Sequence, residues 1–272
     1  MTVHIKRLTE PAECAQCHRL AAAVWGEESA CSVPQMVIHA NFGGLVLLAQ
    51  DGGVPVGFLF SFPARYNTEW VLWSHETAVL PAYQHQGIGT LLKRTQFQVA
   101  GEMGYEAVAW TFDPLVARNA DFNLNKLGAL VEDYRIDVYG PMQGDPINRD
   151  LPTDRWIVRR PTTVERSVPE NAAVACAGGG ETVLLSVGNE VTPIPHASIE
   201  RAMAGAEGRP MTVQIPLRLD CLLANQPRLA HDWRTNFRTV ATNLLEAGYG
   251  VSCYRTEAEH GTYVWKKRRA PK

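Results

Sequence analysis

No run of about 18 or more uninterrupted apolar residues occurs anywhere in the 272-residue chain, so no helical membrane span is expected. The opening MTVHIKRLTEP also lacks the apolar core of a signal peptide, and a cytoplasmic protein is the expectation. Charge of one sign is missing too. With 26 Lys and Arg against 28 Asp and Glu, the net charge is -2, which offers no global attraction to nucleic acid or to an anionic membrane; any anion site must be local. Cysteine is scarce at six residues, and without an export signal these are expected to be reduced thiols. Cys14-Ala15-Gln16-Cys17-His18 fits the C-x-x-C-H pattern of covalent haem attachment, but that chemistry matures in an oxidising compartment. The same residues fit an amphipathic helix with Cys14, Cys17, Ala21 and Val24 on one stripe and Thr9 as N-cap, which is the preferred reading. Cys31, Cys176, Cys221 and Cys253 stand alone and supply no second C-x-x-C, so no metal site is expected. Internal repeats and low-complexity tracts are absent as well.

What is there suffices for a core: 46% of the residues are hydrophobic. Periodicity predicts a strand over 3–8, a helix over 11–25 and a shorter helix over 34–40. Strands over 44–50 and 54–62 flank Asp51-Gly52-Gly53, a hairpin turn whose residues tolerate positive φ. A long strand over 70–80 leads into a glycine-containing turn and a helix, on which Ile88, Leu91, Leu92, Thr95, Val99 and Met103 mark one face and Gly104 the end. A strand over 105–112, a short helix over 118–127, and strands over 130–139 and 156–159 follow. Beyond a linker containing Pro169 and Gly178-Gly179-Gly180 come strands over 183–187 and 211–215. A helix traced by Leu229, Trp233, Phe237, Val240, Ala241, Leu244 and Leu245 precedes strands over 249–255 and 263–265. The expectation is an α/β (α+β) mixed-sheet protein with two domains, 1–160 and 161–272.

The most informative junction is Gln84-His85-Gln86-Gly87-Ile88-Gly89, between the apolar run Thr77-Ala78-Val79-Leu80-Pro81 and a helix. The first turn of a helix has unpaired N–H groups and the positive end of the macrodipole, and glycines let a diphosphate come close. A dinucleotide fingerprint would need a third glycine where Leu92 stands, and a Walker loop would need Gly-Lys-Ser or Gly-Lys-Thr where the chain reads Gly-Thr-Leu-Leu. With those removed, Q-x-x-G-x-G after a V-x-P strand exit resembles motif A of the GNAT superfamily of acyl-CoA-dependent N-acyltransferases. The resemblance covers roughly residues 1–160. It extends to Asn119-Ala120-Asp121-Phe122-Asn123-Leu124-Asn125-Lys126-Leu127-Gly128-Ala129, similar to that superfamily's second motif. With Ala230-His231-Asp232-Trp233-Arg234 on the later helix, the chain looks similar to a bacterial branch with a C-terminal α+β extension.

The resemblance implies a GNAT-like domain that binds acetyl-CoA or another acyl-CoA. It places the cofactor along Val79, Leu80, Gln84, His85, Gln86, Gly87, Ile88, Gly89 and Thr90, with Asn119 on the pantetheine arm and a backbone N–H around Val79 serving the oxyanion. An amine must lose a proton to attack the thioester. Candidate bases are Glu76, His75 and Asp113, with Glu76 preferred because partial burial would raise its pKa. Strict alternation would send His75 and Glu76 to opposite faces and give Glu76 the parity of Ser74 and Ala78. Where many relatives carry a proton-donating tyrosine, this chain has Leu124, so Tyr134, Tyr139, water or unassisted departure must serve the thiolate. The implied function is N-acylation of a small amine such as an amino acid, with acetyl-CoA as default donor. Succinyl-CoA would need a cation such as Arg65, Arg118 or Arg135. The alternatives are a protein lysine acetyltransferase and a non-catalytic CoA-binding sensor. The oligomeric state is open, a homodimer included.

Overall fold

The computed structural model describes residues 2–140, 151–163, 176, 180–195 and 209–268. The chain divides into two compact units, Met1–Trp110 with Arg159–Glu165, and Thr111–Val158 with Arg166–Lys272. The division passes through two strands. Most of the expected linker falls outside the described residues.

In the first unit, β1 (Val3–Leu8), β2 (Leu45–Asp51), β3 (Val54–Tyr66), β4 (Glu69–Val79) and β5 (Ala107–Phe112) lie side by side in chain order. β1 to β4 are antiparallel, and β4 pairs with β5 in parallel. The β2–β3 turn is the expected hairpin: Asp51 pairs with Val54, and Gly52 and Gly53 have φ of 56° and 86°, as a two-residue turn with left-handed central residues requires. Helices α1 (Pro11–Trp25) and α2 (Val33–Asn41) pack on one face, where Cys14, Cys17, Ala21 and Met36 meet Val46, Leu48, Phe58, Phe60 and Ala78. Cys14 and Cys17 are thus packing residues, their thiols pushed up chiefly by burial. The N-cap of α1 is Glu10 rather than Thr9.

Helix α3 (Ile88–Glu102) departs from the sequence reading in one informative way. Its buried positions are Ile88, Leu92, Lys93, Gln96, Phe97 and Ala100, while Leu91 is 39% exposed. Two polar residues occupy the stripe that apolar periodicity assigns to others.

In the second unit, α4 (Ala117–Ala120) runs on into a π-helical turn over Asp121–Lys126, with Leu127 N bonded to Phe122 O at 2.9 Å. β6 (Leu130–Arg135) and β7 (Arg155–Pro161) are neighbours. A second sheet has the order β11-β12-β10-β8-β9, from β8 (Thr182–Val187), β9 (Pro193–Pro195), β10 (Met211–Pro216), β11 (Tyr249–Thr256) and β12 (His260–Lys267). Helices α5 (Leu219–Asn225) and α6 (Pro227–Glu246) complete the unit. The buried face of α6 carries Trp233, Phe237, Val240, Ala241 and Leu244, at the three- and four-residue spacing of a helix stripe. Phe237 joins Trp156 and Tyr263 at centroid distances of 5.6 to 6.1 Å. Contrary to the expectation that all six cysteines are reduced, Cys176 and Cys253 form a disulfide with Cα atoms 6.0 Å apart. No helix among the described residues is long and apolar enough to cross a membrane.

Candidate active site

The β3–β4 ladder slips once. Phe60 pairs with Glu76 and Ser61 with Ser74, so His75 is left without an opposite partner. This β-bulge overturns the period-two expectation. Ser74 turns toward α3, whereas Glu76 turns toward the segment between α1 and α2, where Cys31 N donates to its Oε1 at 3.0 Å. His75 turns the same way, its ring 6.1 Å from that of Phe60 and 5.5 Å from that of Phe62. Ligand-type atoms of Cys31, His75 and Glu76 all lie within 4.8 Å of one another.

Electrostatics at this cluster favour neutral groups. Glu76 is 7% exposed, and its Oε2 has no hydrogen-bond partner among the described residues. Desolvation raises its pKa against the opposing effects of the Cys31 hydrogen bonds and of His18. Burial and the adjacent Glu76 push the Cys31 thiol up to about 12. His75 is held below the ordinary imidazole value by desolvation and by His39. His18 is raised, first by its bond to the Cys31 carbonyl (3.0 Å) and then by Glu27 (2.9 Å). Neither His18, Cys31 nor His39 carries a sequence signal for this site. Tertiary packing of α1 and α2 alone brings them there.

Beyond the bulge, the β4–β5 pairing covers Leu72–Ser74 with Val108–Trp110, while β4 runs on to Val79. A turn then leads to α3. Gln84 Nε2 donates to Val79 O at 3.0 Å and Gln86 Nε2 to Ala82 O at 3.1 Å, so both glutamines brace the loop. His85 has φ of 62°, and Gly87 is left-handed at φ 83°, ψ -2°. A Cβ on Gly87 would meet nothing within 4 Å, so glycine is needed here for its backbone and not for space. Gly87 caps α3 without a side-chain hydrogen bond, and residues 84–87 are exposed. A left-handed residue followed by a right-handed one turns successive N–H groups into one concavity, and the helix dipole adds positive potential. The arrangement suits a diphosphate.

The remaining candidates lie in the second unit. Asp113 is committed to an ion pair: Oδ1 accepts from Leu115 N at 2.8 Å, and Oδ2 faces Arg234 Nη2 at 2.5 Å and Arg155 Nη1 at 3.5 Å. Asn119 sits inside α4, whose N-cap is Val116. Leu124 lies on the π-helical turn. Tyr134 donates to Asp154 Oδ2 at 2.6 Å, and burial first, then Asp154, raises its pKa. Tyr139 is 46% exposed, with its hydroxyl 3.2 Å from Thr111 Oγ1.

Residues 10–125 match the model of the acetyltransferase (GNAT) family. No curated protein matches the chain. Among solved structures, it is similar to a GNAT-family protein from Desulfovibrio desulfuricans, with 20% identity, TM-score 0.47, and coverage of 59% of this chain and 99% of that one. It is also similar to the ribosomal-protein-S18-alanine N-acetyltransferase of Escherichia coli, with 17% identity, TM-score 0.47 and coverage of 60% and 96%. A third structure, from Salmonella typhimurium and solved with acetyl-CoA, shows 18% identity, TM-score 0.48 and coverage of 63% and 99%. The match over residues 10–125 marks this part of the chain as an acetyltransferase (GNAT) domain.

Proposed function

We propose that the protein transfers an acetyl group from acetyl-CoA to the amino group of a small molecule such as an amino acid, by direct attack in a ternary complex. One observation carries this reading: the bulge at His75 delivers a buried carboxylate with an unpartnered oxygen to the strand that leads directly into a diphosphate-type helix start. Glu76 Oε2 accepts a proton from the attacking amine, whose nitrogen forms a bond to the thioester carbonyl carbon. A backbone N–H near Val79, on the stretch of β4 past its pairing with β5, stabilises the oxyanion. The carbon–sulfur bond then breaks. The thiolate takes its proton from solvent, since Leu124 has none to give and Tyr134 is engaged by Asp154. The N–H groups at the start of α3, with Gly87, hold the diphosphate of the CoA carrier. No step uses a metal.

The Phe62 ring lies 5.2 Å from that of His39 and 5.5 Å from that of His75, an aromatic wall suited to the body of a small amine. Thiol release should be followed with acetyl-CoA and succinyl-CoA across a panel of amino acids, other small amines and lysine-containing peptides. Turnover with small amines and acetyl-CoA is expected. Turnover confined to peptides would make the protein a lysine acetyltransferase, and CoA uptake without thiol release would make it a sensor.

A further inference from the structure

Beneath the bulge lies a polar group that the proposed chemistry does not use. Lys93, on the sheet-facing side of α3, is 3% exposed. Its Nζ donates to Ser74 Oγ at 3.0 Å and to Gln96 Oε1 at 2.9 Å, and lies 4.0 Å from the centroid of the Trp110 ring. Gln96 Nε2 in turn donates to Ser61 Oγ at 2.6 Å. Ser61 and Ser74 are the register pair at the slip in the β3–β4 ladder. Both hydroxyls are buried, Ser61 at 0% and Ser74 at 6% exposure, so losing a partner costs each its desolvation.

The ladder has two ways to continue from Phe60–Glu76. In an unbroken ladder Ser61 would face His75, and the imidazole would project to the α3 side. In the observed ladder Ser61 faces Ser74, and His75 is expelled to the side of Glu76. Lys93 and Gln96, three residues apart on one helix face, bond to both serines of the second arrangement. We propose that Lys93 and Gln96 are positioning residues that select the bulged register of β4 and thereby place His75 and Glu76 together on the acceptor side. Neither acceptor of Lys93 is charged. Burial, with the nearby Arg160 adding to it, lowers its pKa well below the usual lysine value.

The kinetic readout rests on the reading of Glu76 as base, so a second readout is independent of turnover. Lys93→Met keeps length and removes both donors; Ser74→Ala removes one hydroxyl and keeps the fold if the first variant fails to express. In each, kcat for acetyl transfer should fall at least tenfold while the Kd for CoA stays within twofold. In parallel, NMR contacts between the His75 ring, assigned with His75→Gln, and the rings of Phe60 and Phe62 should be lost as the imidazole changes side. Folded Lys93→Met and Ser74→Ala proteins whose His75 ring keeps its contacts with Phe60 and Phe62 would overturn the proposal. If instead these contacts are lost in both variants while Glu76→Gln retains wild-type kcat, the register proposal stands and the assignment of the base fails.

Discussion

Replacing Glu76 by glutamine changes one atom at the centre of the proposed chemistry. The amide oxygen can still accept from Cys31 N, now at 3.0 Å from Glu76 Oε1, and the amide nitrogen takes the place of an oxygen that has no partner among the described residues. The fold should therefore survive, while the proton acceptor is lost. A positioned general base contributes roughly a hundred- to ten-thousand-fold. At ~1.4 kcal/mol per tenfold, Glu76→Gln should raise the barrier by about 3 to 5 kcal/mol. Stopped-time thiol release at saturating acetyl-CoA reads this directly, and kcat should drop with little change in CoA affinity. Stability supplies a second, oppositely signed effect. The folded pKa of Glu76 is raised, so its contribution is favourable below the unfolded carboxyl value and is lost as pH rises through the folded one. Glu76→Gln should match the wild-type melting temperature near pH 4 and exceed it near pH 8. A variant with kcat within twofold of wild type at pH 7 would refute the assignment of the base.

Other consequences are equally open to measurement. Asp113→Asn leaves the buried Arg234 guanidinium without its carboxylate, which should cost ~3 to 5 kcal/mol and lower the melting temperature by about 10 °C; unchanged melting would contradict the ion-pair role. Dialysis against a chelator should leave turnover intact, whereas loss restored by zinc would make Cys31, His75 and Glu76 a metal site. Alkylation of the unreduced, denatured protein should label Cys14, Cys17, Cys31 and Cys221 and spare Cys176 and Cys253 until reductant is added; six labelled thiols would refute the disulfide.

Local signals carried much of the architecture. The strand over Val3–Leu8 and the helix over Pro11–Trp25 match the sequence reading residue for residue, because turn chemistry and a Pro at the start of α1 mark their ends. The Gly52–Gly53 hairpin and the stop at Gly104 followed from residues that only a positive φ explains. What escaped depends on contacts between elements. The face of α3 was misjudged because Lys93 and Gln96 are polar yet buried, and only the serines of β3 and β4 account for them. The bulge at His75 leaves no mark in the order of residues on β4, so alternation misplaced His75 relative to Glu76. Asp113 reads as a free carboxylate at a strand end until Arg234, 121 residues further on, is seen to face it. Cys176 and Cys253 are joined across 77 positions, a pairing that no local pattern announces.

The most direct test is titration calorimetry of the purified protein with CoA and acetyl-CoA. Saturable uptake of both is expected, weakened by Gly87→Ala, whose left-handed backbone disfavours any residue with a Cβ by ~1 to 2 kcal/mol. Absence of any heat of binding to the wild-type protein would contradict the diphosphate grip at the start of α3, and with it the proposed transfer.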